Sequence, residues 1–556
     1  MFQTTAPGRP SSRPAPRTRE PADRRSLQPS RPQARPARRL AARLARLVTA
    51  HPFATAAVGI ALCWLPYLIV FFPGTYAWDG FRQLNEFYGY LPRTTHHPYL
   101  ATTLMGGLFS VGRVFGVNGA LFFYTLVQAT AACLVFALTC ARILRLTGAA
   151  LGQRKAWTFA LYGLALGFFA LNPIFPVATT VVFKDLPYAL SVLLLVNVLA
   201  LAAIRRSLQA QSMVLFVVGA VGAAGFRNDG IVIVVACTVI LALVLRRPKQ
   251  RRRVVLAGAA VTVGLIAANS LVFPLLGVSK YSNAEMLSIP LQQTARYLRD
   301  HPDDISAAEL STIQSLLKDD RRVEDLAEKY KPTLSDPVKN SFRSFDGESL
   351  RRYASVWLAT CARHLGTCVK ATAANTVGYF YPSSTGNIPP ISYPYQMHLK
   401  SGYWEGLKAE LSKPEASFDP SYPAALQPAR SFVLQAARWV TVKSPIWPLF
   451  RPAVYTWLLL GATAALIWRR RWRALTAFIP VGLVFLVCLA SPVNGNVRYA
   501  LPYVVATPLL MAYTIYALRR PSASDRIPAH DRRQSQIGRW PRPTNSLKPI
   551  TEVALP

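Results

Sequence analysis

The sequence predicts an all-α polytopic membrane protein, and three observations predict it. Only 16% of the 556 residues are charged while 52% are hydrophobic, against about 25% charged in soluble domains. Mean hydropathy is positive, at +0.24. Apolar runs of about 20 residues, the length that spans hydrocarbon, recur from 53–72 to 499–518.

Taken in order, residues 1–52 form a basic tail. Its first fifty residues hold twelve Arg against Glu20 and Asp23, interleaved with Pro, Ser and Ala. Such a segment buries too little apolar surface to offset its ordering entropy, so disorder is expected there and again over 519–556. Much of the formal charge of +37 sits in these tails. Tails of this kind set topology and touch anionic lipid, so no nucleic-acid partner is implied. Residues 53–72 lack a small-residue cleavage site and read as an anchor that is kept.

The transmembrane region covers 53–275, with a first outer loop at 73–117 and helices at 53–72, 118–141, 156–172, 186–204, 212–226, 231–245 and 254–275. The stretch 97–116 is apolar enough to span. Counting it as a crossing would export Arg142, Arg145, Arg154 and Lys155. Laying it on the outer surface keeps those residues, Arg205–Arg206, "RRPKQRRR" at 246–253 and "RRRWR" at 469–473 all cytoplasmic. Residues 276–448 then form an exported, mainly helical subdomain. Three C-terminal helices follow within 449–518, at 449–468, 474–491 and 499–518. The reading is ten crossings of the plasma membrane with both termini cytoplasmic.

Five cysteines lie in apolar runs and read as packing residues. Cys361 and Cys368 suit a disulfide only if the helix between them breaks, because seven helical residues separate Cα atoms by about 10 Å. No metal-ligand spacing appears, and the adjacent His96 and His97 do not converge on one ion. Hydrogen bonding to sugar, or shaping of a helix start, is the better reading of that pair. No cofactor is expected.

The carboxylates locate the chemistry. Seventeen of 26 fall in the 276–448 loop and five in the tails, which leaves Asp79, Glu86, Asp185 and Asp229 for the whole membrane region. All four lie at outer helix ends, beside cations that break the charge trend: Arg82, Lys184, Arg227 and Arg498. Four outer loops, "PGTYAWDGFRQ", "NPIFPVATTVVFKD", "GFRNDG" and "PVNGNVRY", each join helix-breaking Pro or Gly to a charge. Irregular backbone at membrane depth persists where it lines a cavity, and ionisable groups there pair or do chemistry.

These motifs resemble those of the GT-C glycosyltransferases, multi-pass enzymes that use polyprenyl-phosphate-linked sugars outside the membrane. A first helix followed by an outer loop with Asp79 is similar to the family's opening. "THHPYLATTLMGGLFSVGRVFGVNGALFFY" resembles its His-Pro segment and outer juxtamembrane helix. The PG-x4-D loop, the later Lys184–Asp185 and the Arg498–Tyr499 pair look closest to a poorly characterised bacterial branch. The likeness covers about residues 53–520.

The resemblance implies transfer from a polyprenyl-phosphate sugar, with inversion, to an extracytoplasmic glycan, lipid or protein. A base must take the acceptor's proton, and cations must stabilise the departing phosphate. Asp79 is the candidate base and Asp185 the second catalytic candidate. Substrate-binding candidates are Arg82, Gln83, His96, His97, Lys184, Arg227, Asn228, Asp229, Arg498 and Tyr499. The family's first acid is often an adjacent pair, but here Gly80 follows Asp79. Either Asp185 or Glu86 must then supply a second carboxylate. The aromatics Tyr76, Trp78 and those in 379–395 suit sugar stacking or a membrane belt.

Rival readings are a lipid-linked saccharide flippase or transporter, a polysaccharide polymerase or ligase, and an exported scaffold. A transporter calls for charge or broken helices at the bilayer midplane, whereas these crossings are nearly free of charge.

Overall fold

The computed structural model describes Arg43 and residues 45–152, 154–382 and 418–519. The rest of both basic tails, and the 379–395 aromatics beyond Pro382, lie outside the described residues.

The chain is built of helices. The apolar ones are α1 (Pro52–Val70), α3 (Tyr99–Gly112), α4 (Gly116–Leu151), α5 (Lys155–Leu171), α7 (Asp185–Arg205), α8 (Ala210–Phe226), α9 (Gly230–Val244) and α10 (Pro248–Ala267). Between them lie the amphipathic α2 (Trp78–Tyr88) and the short α6 (Ile174–Thr179). Among the described residues, five spans are long and apolar enough to cross a membrane, one formed by α3 and α4 together and one by α10 with its continuation to Leu275. The molecule is a membrane-embedded helical protein. Its core is aromatic where α1, α4, α5 and α6 meet: Trp64, Phe136, Phe169 and Phe175 pack ring to ring.

The sequence pattern marked most helix starts within a few residues; the starts predicted at 254 and 474 fall instead at Pro248 and Ile479. The predicted 118–141 helix runs on to Leu151 and carries Arg142 inside, where it donates to the Asn197 carbonyl at 2.9 Å. The predicted 474–491 helix is shorter, at Ile479–Leu489.

Helix α3 measures about 21 Å at 1.5 Å per residue, short of a 30 Å hydrocarbon core. Both its ends approach the loop at 73–79. At its start, His97 meets Lys184, which lies 3.9 Å from Asp79. Beyond its end, Asn118 donates to the Ser421 carbonyl and Tyr422 donates to the Gly74 carbonyl. Both ends of α3 are thus linked through neighbours to one loop.

After Leu275 comes a helical region with α11 (Ser288–Asp300), α12 (Ala307–Gln314), α13 (Gly347–Arg363) and α14 (Leu365–Thr376). It has its own core, in which Leu291, Leu298, Leu317, Leu326, Phe342 and Tyr353 pack together. Helix α13 stops at Arg363 and α14 starts at Leu365, so the chain bends at His364. The bend brings the Cα atoms of Cys361 and Cys368 to 5.8 Å, and the two are disulfide-bonded. Helices α15 (Gln427–Val442), α16 (Pro452–Trp468), α17 (Ile479–Leu489) and α18 (Val497–Arg519) complete the chain.

Candidate functional site

The site begins with two short extended segments. Strands β1 (Thr75–Tyr76) and β2 (Val181–Val182) pair in parallel, with Thr75 opposite Val181 and Tyr76 opposite Val182. Each strand leads into a helix start, so the pairing sets Asp79 beside Lys184 and Asp185. The approach is close: a Cβ on Gly80 would sit 2.0 Å from the Val182 carbonyl oxygen, which only glycine avoids. From within α4, the Gln128 side-chain amide donates to the carbonyls of Thr179 at 3.0 Å and Val181 at 2.9 Å. Gln128 thus pins the second loop. Its signal in the sequence was a lone amide in an apolar run, and it was not among the predicted site residues.

Arg498 joins the two acids. Its Nη2 donates to Asp79 Oδ2 at 2.6 Å and to Asp185 Oδ2 at 2.7 Å, and its Nε reaches the same Asp185 oxygen at 2.9 Å. Asp79 and Arg498 are 419 residues apart in the chain. The other oxygen of Asp185 accepts from Arg227 Nη1 at 3.1 Å, and Arg227 Nε donates to Asp229 at 2.9 Å. Tyr188 completes this arm by donating to Asp229 at 2.9 Å. The Arg227 guanidinium lies over the rings of Tyr188 and Tyr499, at 5.3 and 5.1 Å. Three carboxylates therefore face three cations, Lys184, Arg227 and Arg498, and the cluster neutralises itself.

The electrostatics follow. Burial alone would raise the Asp79 carboxyl, but the Arg498 guanidinium and then the Lys184 ammonium outweigh it and hold Asp79 well below the usual carboxylate range. Burial, followed by the nearby Lys184 ammonium, lowers His97 well below normal and His96 to about 4. Both imidazoles are neutral at pH 7.

The loop presenting Arg498 is gripped by the 276–382 region. Asn494 Oδ1 accepts from the Gly378 amide at 2.7 Å, Asn494 N donates to the Thr333 carbonyl at 3.0 Å, and Ser335 N donates to Pro492 at 2.8 Å. Asn375 donates to the Ser491 carbonyl at 2.8 Å. Asn496 accepts from the Arg498 amide at 3.0 Å and caps the start of α18.

Of the twelve predicted site residues, the ion-paired cluster gathers Asp79, Asp185, Lys184, Arg227, Asp229, Arg498 and Tyr499, with His97 against Lys184 and His96 stacked beside His97. Three are placed otherwise. Arg82 pairs one helical turn onward with Glu86 at 3.3 Å. The Gln83 amide donates to Thr102 at 3.0 Å and ties α2 to α3. Asn228 is exposed at the turn between α8 and α9. Among the described residues, no group of His, Cys, Asp or Glu is arranged to hold a metal ion.

Fold and site together define a multi-pass helical membrane protein with a self-neutralised charged centre at one end of its bundle. The chain belongs to DUF6020, a family of unknown function, whose model matches residues 90–528. That stretch takes in His96, His97, Lys184, Asp185, Arg227, Asp229 and Arg498, and begins after Asp79. No curated protein and no solved structure matches the chain.

Proposed function

We propose that this protein is a glycosyltransferase that moves a sugar from a polyprenyl-phosphate donor to an acceptor on the outer face of the plasma membrane. In this reading the apolar helices make ten crossings, both termini are cytoplasmic, and the charged centre faces outward. The observation that carries the proposal is Arg498 bridging Asp79 and Asp185 through one guanidinium.

A guanidinium so placed can exchange carboxylate for phosphate, because both accept its paired donors in the same geometry. Donor phosphate then takes Arg498 and Lys184. Asp79 loses the cations that hold its proton affinity down, while its burial remains, so its affinity for a proton rises. Asp79 becomes a base only once the donor is seated. It removes the proton from the acceptor hydroxyl, and that oxygen bonds to the anomeric carbon from the opposite face. The bond from that carbon to the phosphate oxygen breaks, its electron pair stays on phosphate, and polyprenyl phosphate departs from Arg498. Inversion follows from single displacement. Asp185 and Asp229 hold Arg227 and Arg498 in register throughout.

The test is Asp79→Asn in nanodiscs supplied with a panel of polyprenyl-phosphate sugars and membrane-derived acceptors. Transfer should fall by roughly two to four decades, the usual worth of a general base, with thermal unfolding unchanged. Near-normal transfer by the folded variant would remove Asp79 from the role. Movement of donor lipid across the bilayer without transfer would favour a flippase.

A further inference from the structure

Helix α2 carries a second polar strip that differs from the ion-paired cluster. Asp79, Gln83 and Glu86 fall at i, i+4 and i+7, and so share one helix face over about 10 Å. Glu86 Oε1 accepts from Arg82 and from Thr94 Oγ1, each at 3.3 Å. Thr94 in turn accepts from the His96 amide at 3.4 Å. The His96 ring lies 4.2 Å from that of Tyr281 and 4.3 Å from that of His97. The strip is therefore continuous from Glu86 to Lys184.

Four atoms along it are buried and have no partner: Gln83 Oε1, Glu86 Oε2, His96 Nδ1 and His97 Nε2. Gln83 and Glu86 are 0% exposed and His97 is 2% exposed. Buried polar atoms are nearly always satisfied in native proteins, so four orphans in one strip mark a place where a ligand completes the bonding.

The chemistry of the orphans selects the ligand. Lys184 can only donate, so His97 Nδ1 accepts from it and His97 Nε2 carries the proton. The strip thus offers acceptors at Gln83 and Glu86 and a donor at His97. Arg82 offsets the Glu86 charge, so neither a phosphate nor an ammonium finds a free counter-charge. A neutral ligand with neighbouring hydroxyls, each both donor and acceptor, fits this alternation over a length of one or two sugar rings.

The geometry points to a saccharide subsite along α2, in which Gln83, Glu86 and His97 bind the hydroxyls of a neutral sugar. Its assignment as the acceptor's seat rests on the transferase reading above; the binding itself does not. The anionic group belongs to Arg498 and Lys184 at one end, and the polyol to the strip that leads away from them.

Binding to the full chain in nanodiscs tests this, by saturation-transfer NMR with methyl glycosides of glucose, galactose, mannose and arabinose, and with farnesyl phosphate as the anionic probe. At least one glycoside should bind the wild type. Glu86→Gln should weaken it tenfold or more and Gln83→Met severalfold, both leaving farnesyl phosphate within twofold. Arg498→Lys should show the reverse pattern. Gln83→Met keeps the length of the side chain and removes the orphan acceptor together with the bond to Thr102; Thr102→Val, which breaks that bond alone, should leave glycoside binding within twofold, and the two variants together decide the matter if Glu86→Gln fails to fold. Absence of glycoside binding, or binding indifferent to these substitutions, overturns the subsite. Loss of farnesyl phosphate in Glu86→Gln also overturns it, because the strip would then serve the phosphate. Glycoside binding without transfer from any donor would uphold the subsite and sink the transferase.

Discussion

Cations gather at two ends of this molecule, and the two gatherings are built differently. In the cluster around Arg498 each cation has a carboxylate: Lys184 and Arg498 with Asp79, Arg498 and Arg227 with Asp185, Arg227 again with Asp229. In the other, Arg206 is surrounded by Arg246, Arg251 and Arg473, which only repel it. The basic loops at that end hold no Asp or Glu at all. A buried cation needs a partner because desolvation is costly, whereas an exposed one is served by water and lipid phosphate. Cations paired with carboxylates therefore mark the candidate site.

The sharpest way to break that comparison is Arg498→Lys. A lysine keeps the charge but offers a point in place of a fork, and cannot hold Asp79 and Asp185 together. Hydrogen bonds to charged groups contribute about 1.5–3 kcal/mol each, so donor binding and transfer should drop by roughly ten- to a hundredfold, with normal expression. Wild-type turnover in this variant would place Arg498 among ordinary interfacial arginines.

Much of this site was legible because charge is rare in the membrane region. With only four carboxylates to place, Asp79, Asp185 and Asp229 pointed to one end, and Arg498 stood out as a cation on the wrong side. The predicted residues that lie outside the ion-paired cluster share a cause, which is local backbone direction. Arg82 and Gln83 follow Asp79 closely in sequence, but one swings to Glu86 and the other to Thr102. Asn228 sits between two cluster residues and turns outward. The two-residue strands were illegible because no periodicity shows in so short a segment, and their register depends on Gly80 meeting Val182. The grip on the 491–496 loop was hidden too, since it relies on backbone carbonyls that every sequence has.

That grip gives a second, smaller effect. A Cβ on Gly378 would lie 2.8 Å from the Gly495 Cα and 2.9 Å from Asn494 Oδ1, so Gly378→Ala must push the loop outward. Overpacking of this kind costs about 1–3 kcal/mol. Because the loop presents Arg498, transfer should fall about tenfold at saturating acceptor, and farnesyl phosphate affinity should fall with it. Lost stability with unchanged phosphate affinity would show that the grip supports the fold alone. The paired end would then depend less on its surroundings than the contacts imply.

The smallest effect is expected at the unpaired end, from Arg246→Cys. Arg246 is exposed, and its backbone amide, not its side chain, bonds to the Arg206 carbonyl at 3.0 Å. Removing its charge breaks no ion pair among the described residues and relieves repulsion on Arg206. Surface substitutions away from structural features usually stay within about 0.5 kcal/mol. Transfer and farnesyl phosphate affinity should therefore match the wild type within twofold. The new thiol also reports its side of the membrane, since the five free cysteines are buried or half-buried. An impermeant maleimide should label Arg246→Cys only after cells are opened, whereas Asp303→Cys, exposed in the region after Leu275, should label on intact cells. Two results would break the comparison. Labelling of Arg246→Cys on intact cells would turn the charged centre toward the cytoplasm. A loss of transfer as large as that of Arg498→Lys would mean that unpaired arginines serve the reaction as directly as paired ones.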